Sequence, residues 1–219
     1  MNRRRYLTLA GTGVVGALAG CGGGSGGESG QSVDDHPATA GLEGLPRRGE
    51  LGGHVVLTLE DPSCSRCAAF HENTVPKIQS NIVEPGEGAY VFRTYPVVYP
   101  WGEPASQALE STFARSGDAF WQLLDHYFTQ QSRFNSDNVL DRTETFLAES
   151  TDVDAGAVVS DARNEAHNDA VQANISAAED AGLGETTPVA LLFRDGEFAT
   201  KANGSVSYDL IAETLGVDS

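Results

Sequence analysis

Two cysteines two residues apart, set where a strand gives way to a helix, constrain this chain more than any other feature. Cys64-Ser65-Arg66-Cys67 follows His54-Val55-Val56-Leu57-Thr58-Leu59, a run rich in β-branched and apolar residues that reads as a buried strand. Glu60-Asp61-Pro62-Ser63 breaks that run. Beyond the pair, Ala68, Ala69, Phe70, Val75, Ile78 and Ile82 recur at helical spacing. The order is therefore strand, turn, CxxC, helix. A helix N-terminus offers free N–H groups and partial positive charge, which favour a thiolate over a thiol. A disulfide that opens and closes needs that environment.

The same spacing also serves as half of a structural zinc site. Tetrahedral zinc takes four protein ligands, commonly two such pairs or one pair with two histidines. The one other cysteine is Cys21, near the amino terminus, and the histidines (His36, His54, His71, His126 and His167) include no H-x3–5-H pair. Redox use of Cys64 and Cys67, with no metal, is the expectation.

The amino terminus sets the compartment. Arg3-Arg4-Arg5-Tyr6-Leu7 resembles the twin-arginine export consensus, and Leu7 to Gly20 is a weakly apolar stretch of 14 residues. A membrane-crossing helix needs about 20. Leu18-Ala19-Gly20-Cys21 resembles a lipobox, so residues 1–20 are expected to be a cleaved signal peptide and Cys21 the lipidated residue. Gly22-Gly23-Gly24-Ser25-Gly26-Gly27 and the polar residues after it, over 21–50, read as a flexible tether. The expected location is the extracytoplasmic face of the cell membrane, held by the lipid. Disulfides persist there.

Net charge is −17, and the leader arginines make the rest of the chain more acidic still. Lysine occurs twice, as Lys77 and Lys201. Phosphate repels such a surface, which argues against nucleic acid as a partner. The acid is spread along the chain, not gathered in a tail, and this resembles proteins of extreme halophiles.

Residues 51–219 are expected to form one domain. Its strands are 54–60, 89–95, 189–193 and 198–201, with a turn at Asp195-Gly196 and a closing helix over 207–215. Helix 65–82 is interrupted by Pro76. A helical insert runs over about 104–182 in three pieces, 104–131, 136–149 and 154–181. Its aromatics (Phe113, Phe120, Trp121, Tyr127 and Phe128) fall at core spacing. Trp101, in the proline-rich connection, is the better candidate for an exposed contact. There is no internal repeat. Asn174-Ile175-Ser176 and Asn203-Gly204-Ser205 match the glycosylation sequon.

Three stretches carry a resemblance to DsbA-like thiol:disulfide oxidoreductases of the thioredoxin superfamily. They are Leu57 to His71 around the CxxC, Val91-Phe92-Arg93-Thr94-Tyr95-Pro96, and Gly182-Leu183-Gly184-Glu185-Thr186-Thr187-Pro188-Val189. The resemblance implies an α/β, thioredoxin-like fold with a helical insertion between a βαβ half and a C-terminal ββα half. It implies a cis bond at Thr187-Pro188 lying against the disulfide. Cys64, at the helix end, is then the exposed nucleophile, and Cys67, one turn deeper, resolves the mixed disulfide. Thr187 offers its backbone to an extended client segment, and Pro188 shields the sulfurs and keeps metal out. No cofactor is implied, because the Cys64–Cys67 disulfide carries the electrons itself.

The partners so implied are thiols or disulfides of exported proteins and a membrane redox partner. The chain departs from the family pattern in two places. The Ser65-Arg66 dipeptide replaces the proline-containing dipeptides of many relatives; Arg66 either favours the thiolate, with Glu60 and Asp61 opposing it, or stands as a solvated surface charge. Six residues before Cys64, where many relatives keep a buried acid for proton transfer, stands Thr58. The alternatives are a reductase or isomerase fed by a membrane partner, and a non-catalytic binding lipoprotein of the same fold.

Overall fold

β2 (His54–Glu60) runs through the middle of a five-stranded sheet and feeds a core on each side of it. The computed structural model describes residues 30–218; the leader and Cys21 lie outside the described residues. The other strands are β1 (Arg47–Gly49), β3 (Gly88–Thr94), β4 (Val189–Arg194) and β5 (Glu197–Asn203), in the order β1-β3-β2-β4-β5. β2 and β3 are parallel and the other pairs antiparallel.

Side chains alternate across a pleated strand. Val56, Tyr90, Phe92, Ala190 and Leu192 therefore enter one core. Val55, Leu57, Ala89, Val91 and Leu191 enter the other. The helices are α1 (Ser65–Asn73), α2 (Val75–Ile78), α3 (Gly102–Phe113), α4 (Gly117–Thr129), α5 (Val139–Ser150), α6 (Ala155–Arg163), α7 (Asn168–Asp180) and α8 (Tyr208–Leu215). α3 to α7 form the insertion between β3 and β4, so the fold is thioredoxin-like with a helical insert. No helix among the described residues is long and apolar enough to cross a membrane.

Several expected elements are divided by local chemistry. The helix expected over 65–82 breaks at Thr74. Pro76, without an N–H, sits in the first turn of α2, and Thr74 Oγ1 donates to Val206 O at 2.7 Å. The piece expected over 104–131 is two helices, because Ser116 is extended and caps α4 by accepting from Ala119 N–H. The piece expected over 154–181 divides at 164–167, where Glu165 adopts a positive φ of 51°.

The tether expected over 21–50 ends earlier than its composition implies. Ser32 bridges to Glu197, Pro37–Thr39 and Leu42–Gly44 are single helical turns, and β1 extends the sheet. Ala38 and Leu42 pack into the second core, His36 packs on Phe193 and Phe198, and a buried arginine adds hydrogen bonds. Arg93 Nε donates to Ala38 O at 2.9 Å and its Nη2 to Ala40 O. One further expectation, that Trp101 makes an exposed contact, is corrected. Trp101 is buried, stacked on Phe134 with centroids 5.4 Å apart. Asn174 is buried as well, with its amide bonded inside the domain, so that sequon is structural.

Candidate active site

The turn after β2 aims the two cysteines. Asp61 O accepts from Cys64 N–H at 2.9 Å, and the Asp61 carboxylate accepts from the backbone N–H groups of Ser63, Val97 and Val98 at 2.7–2.8 Å. This carboxylate ties the CxxC turn to the loop after β3. Gly102, at the start of α3, presses on the same group; a Cβ there would lie 2.3 Å from Asp61 Oδ1. From the other side, Gln131 Nε2 donates to Pro62 O at 2.8 Å and to Cys64 O at 3.0 Å.

Cys64 is the N-cap of α1, with φ −83° and ψ 120°, and Cys67 lies within the first turn. The Thr187–Pro188 peptide is cis, and Cys64 Sγ lies 3.5 Å from Thr187 O. The cysteines are unbonded to each other. Cys64 is 3% exposed and Cys67 0%. The nucleophile expected to be exposed is thus almost covered, flanked by Thr187 and by the turn that Gln131 holds. Ser65 and Arg66 are the exposed members of the motif.

The two sulfurs differ sharply in acidity. The Cys64 thiol is lowered to about 5. The largest cause is a hydrogen bond from the Cys67 thiol; Thr187 and the backbone N–H groups of Cys67 and Arg66 add to it, against the cost of burial. The buried Thr187 hydroxyl has no hydrogen-bond partner; it is the Thr187 carbonyl oxygen that meets the sulfur. Burial pushes the Cys67 thiol well up, helped by the bond it gives to Cys64 and by the negative charge of Glu60. Arg66 is exposed and contributes through its backbone N–H.

Within electrostatic reach of the sulfurs lies a polar cluster that sequence reasoning missed. Glu60 is fully buried, and burial pushes its carboxyl up to about 8. Its Oε1 accepts from the Tyr90 hydroxyl at 2.8 Å, and its Oε2 has no partner. Thr58 Oγ1 donates to the Tyr90 oxygen at 3.1 Å, and His71 Nε2 lies 3.3 Å from it. Glu60 stands two residues beyond Thr58, so both point to the same face of β2. A two-residue shift along a strand leaves an acid on the sulfur side. His71 follows Cys67 by four residues, which places both on one face of α1. Those two spacings were the available signals.

Cys64, Cys67, Thr187 and Pro188 thus converge at one end of the sheet, while Cys21 lies outside the described residues. Among the described residues no group of three or more His, Cys, Asp or Glu side chains is placed to hold a metal ion.

A cis proline facing a helix-capping CxxC, on a sheet of this order, is the arrangement of a thioredoxin-fold protein. The thioredoxin family model matches residues 49–206, and the chain belongs to that family. Oxidised BdbD from Bacillus subtilis superposes with a TM-score of 0.72 at 19% identity, covering 87% of this chain and 97% of that one. DsbA of Chlamydia trachomatis gives 0.67 at 18%, covering 78% and 88%. The thiol-disulfide exchange protein α-DsbA2 of Wolbachia pipientis gives 0.64 at 14%, covering 84% and 92%. These likenesses establish the fold with its helical insert. No curated protein matches the chain in sequence.

Proposed function

We propose that this protein is a thiol:disulfide oxidoreductase that oxidises dithiols of other proteins through Cys64 and Cys67. The observation that carries the reading is the Cys64 sulfur, lowered to about 5 beside the cis Thr187–Pro188 peptide. A thiolate so stabilised favours the reduced pair at neutral pH, which makes the disulfide an oxidant.

In the forward direction a client thiolate attacks Cys64 Sγ, the Cys64–Cys67 bond breaks, and Cys67 leaves as a thiolate. Glu60, protonated below about pH 8, supplies the proton that Cys67 takes up. The second client thiol loses its proton to solvent and attacks the client sulfur, expelling Cys64 as a stable thiolate. Two electrons pass from the client to the cysteine pair, one client disulfide forms, and one proton is released. Thr187 and Pro188 border the sulfur where an extended client segment would lie. Glu60 thus takes the part that Thr58, by its position, leaves open.

We also read the chain as an exported lipoprotein, acylated at Cys21 after twin-arginine export, with clients among exported proteins and a membrane redox partner that restores the disulfide. The supporting features are the Arg3-Arg4-Arg5 start, the short apolar stretch and the Leu18-Ala19-Gly20-Cys21 junction. The acidic, lysine-poor composition suits a high-salt setting.

The test is trapping combined with a potential. Cys67→Ala is expected to accumulate mixed disulfides at Cys64 with exported proteins. Trapping by Cys64→Ala instead would reverse the sulfur roles. A reduction potential near that of thioredoxin, about −270 mV, would overturn the oxidant direction in favour of a reductase.

A further inference from the structure

We propose that Tyr90 and His71 form a proton path between the buried carboxyl of Glu60 and solvent, opening in a cavity between α1 and α4 that none of Cys64, Thr187 or Pro188 lines. The proposal rests on the exchange reaction above and adds how its proton reaches water.

Glu60 has no exposure of its own, so a proton it trades with Cys67 must enter and leave through neighbours. Of its two oxygens, Oε2 is unpartnered, while Oε1 is bonded to Tyr90. From the Tyr90 oxygen two side chains branch. Thr58 is itself fully buried and leads nowhere. His71 leads outward. Its Nε2 meets Tyr90 at 3.3 Å, and its Nδ1 faces Asp125 Oδ1 at 3.8 Å. The ring lines a cavity of about 290 Å³ together with Ala68, Glu72, Asp125, Phe128 and Thr129. The Asp125 side chain is 56% exposed, so the cavity meets water. Phe128 packs on the ring at 4.4 Å and holds its orientation.

The charges around the ring suit the task. Glu60 of β2, Tyr90 of β3, Arg48 of β1, Glu72 of α1 and Asp125 of α4 face His71 or its cavity, and Cys64, the cap of α1, and Cys67 within it are close enough to Glu60 for their charges to interact. Burial, with Arg48 assisting, holds His71 down to about 3, so the imidazole is neutral. A neutral ring takes a proton at one nitrogen as it releases one from the other.

When Glu60 gives its proton to the departing Cys67 thiolate, the Tyr90 O–H proton moves to Glu60. The His71 Nε2 proton moves to the Tyr90 oxygen, and His71 takes a proton from cavity water at Nδ1. Re-oxidation of the cysteine pair drives the same transfers in reverse and restores the starting tautomer. In the first half-cycle the proton drawn from cavity water offsets the one that the second client thiol gives to solvent; in the second the path returns the Cys67 proton to water.

The experiment is the single-turnover reduction of the disulfide form by a dithiol peptide, across pH, for wild type, His71→Ala, His71→Gln and Tyr90→Phe. His71→Ala is expected to lower the rate about tenfold. Imidazole in the buffer restores that rate, and toluene, which fills space but carries no exchangeable proton, does not. His71→Gln, which keeps a polar side chain without two exchanging nitrogens, shows the same loss and covers the case in which the alanine variant does not fold. Tyr90→Phe loses rate and is not rescued by imidazole. The reduction potential of both His71 variants stays at the wild-type value, since a path changes rates and not equilibria. Unchanged rates in the His71 and Tyr90 variants, or equal rescue by toluene, overturn the path alone. Absence of exchange in the wild type at any pH overturns the oxidoreductase reading and the path with it.

Discussion

Two polar clusters are buried against β3, three residues apart, and they are built to opposite ends. At Arg93 nearly every hydrogen-bonding group is matched. The guanidinium meets Ala38 O, Ala40 O and Asn174 Oδ1, and Asn174 Nδ2 in turn meets Thr94 Oγ1 and Glu110 Oε1. Arg93 is lowered to about 10 by burial and keeps its charge at neutral pH. At Tyr90 the matching stops short. Glu60 Oε2 has no partner, and Glu60, Cys67 and Tyr90 are all pushed up by burial while Cys64 is pulled down. A matched buried cluster holds a structure in place. One left short, with acidities driven apart, has the character of a functional site and suits the proposed exchange.

Breaking the matched cluster gives the largest expected effect on stability. Arg93→Ala frees the Ala38 and Ala40 carbonyls and is expected to cost about 3–5 kcal/mol in denaturant unfolding. It should leave the Cys64 titration at about 5 when followed by thiolate absorbance. A large loss of thiolate in that variant would show the clusters to be one.

Glu60→Gln probes the other side. It is expected to slow peptide oxidation about a hundredfold. Its effect on stability depends on pH with a definite sign. The folded-state carboxyl is raised to about 8 from an ordinary 4.5, so between those values the unfolded chain releases a proton that the folded one keeps. Wild type therefore loses stability relative to Glu60→Gln as pH rises from 4.5 to 8. A flat difference across that window, in urea titrations of both proteins, contradicts the burial of this charge.

The smallest effect is expected from Arg66→Ala. The guanidinium is exposed and is not among the causes of the Cys64 shift, so the thiolate titration should move by less than about half a pH unit.

Much of this was legible in the chain before its structure. β2 announced itself through Val55, Val56 and Leu57, and the CxxC with Thr187-Pro188 located one end of the sheet. Residues that act across distance were harder to see. Glu60 read as the start of a turn, and only the strand's two-residue period shows that it shares a face with Thr58. His71 read as one of several scattered histidines. β1, the short polar Arg47-Arg48-Gly49, has no alternation to betray it, and the residues before it are held by contacts far along the chain, among them His36 on Phe193 and Phe198 and Ala40 O on Arg93. Trp101 sat among prolines, which signal a surface loop, yet its ring found Phe134 and Tyr127.

The folding of residues 31–49 onto the sheet changes what the amino-terminal segment can do. Were Cys21 lipidated as proposed, ten residues, from Cys21 to Gly30, would join membrane and folded body, and a chain of that length spans at most about 35 Å. So short a lead would keep the sulfur pair in a thin layer just outside the bilayer. Its clients would then be chains met as they emerge, before they diffuse away.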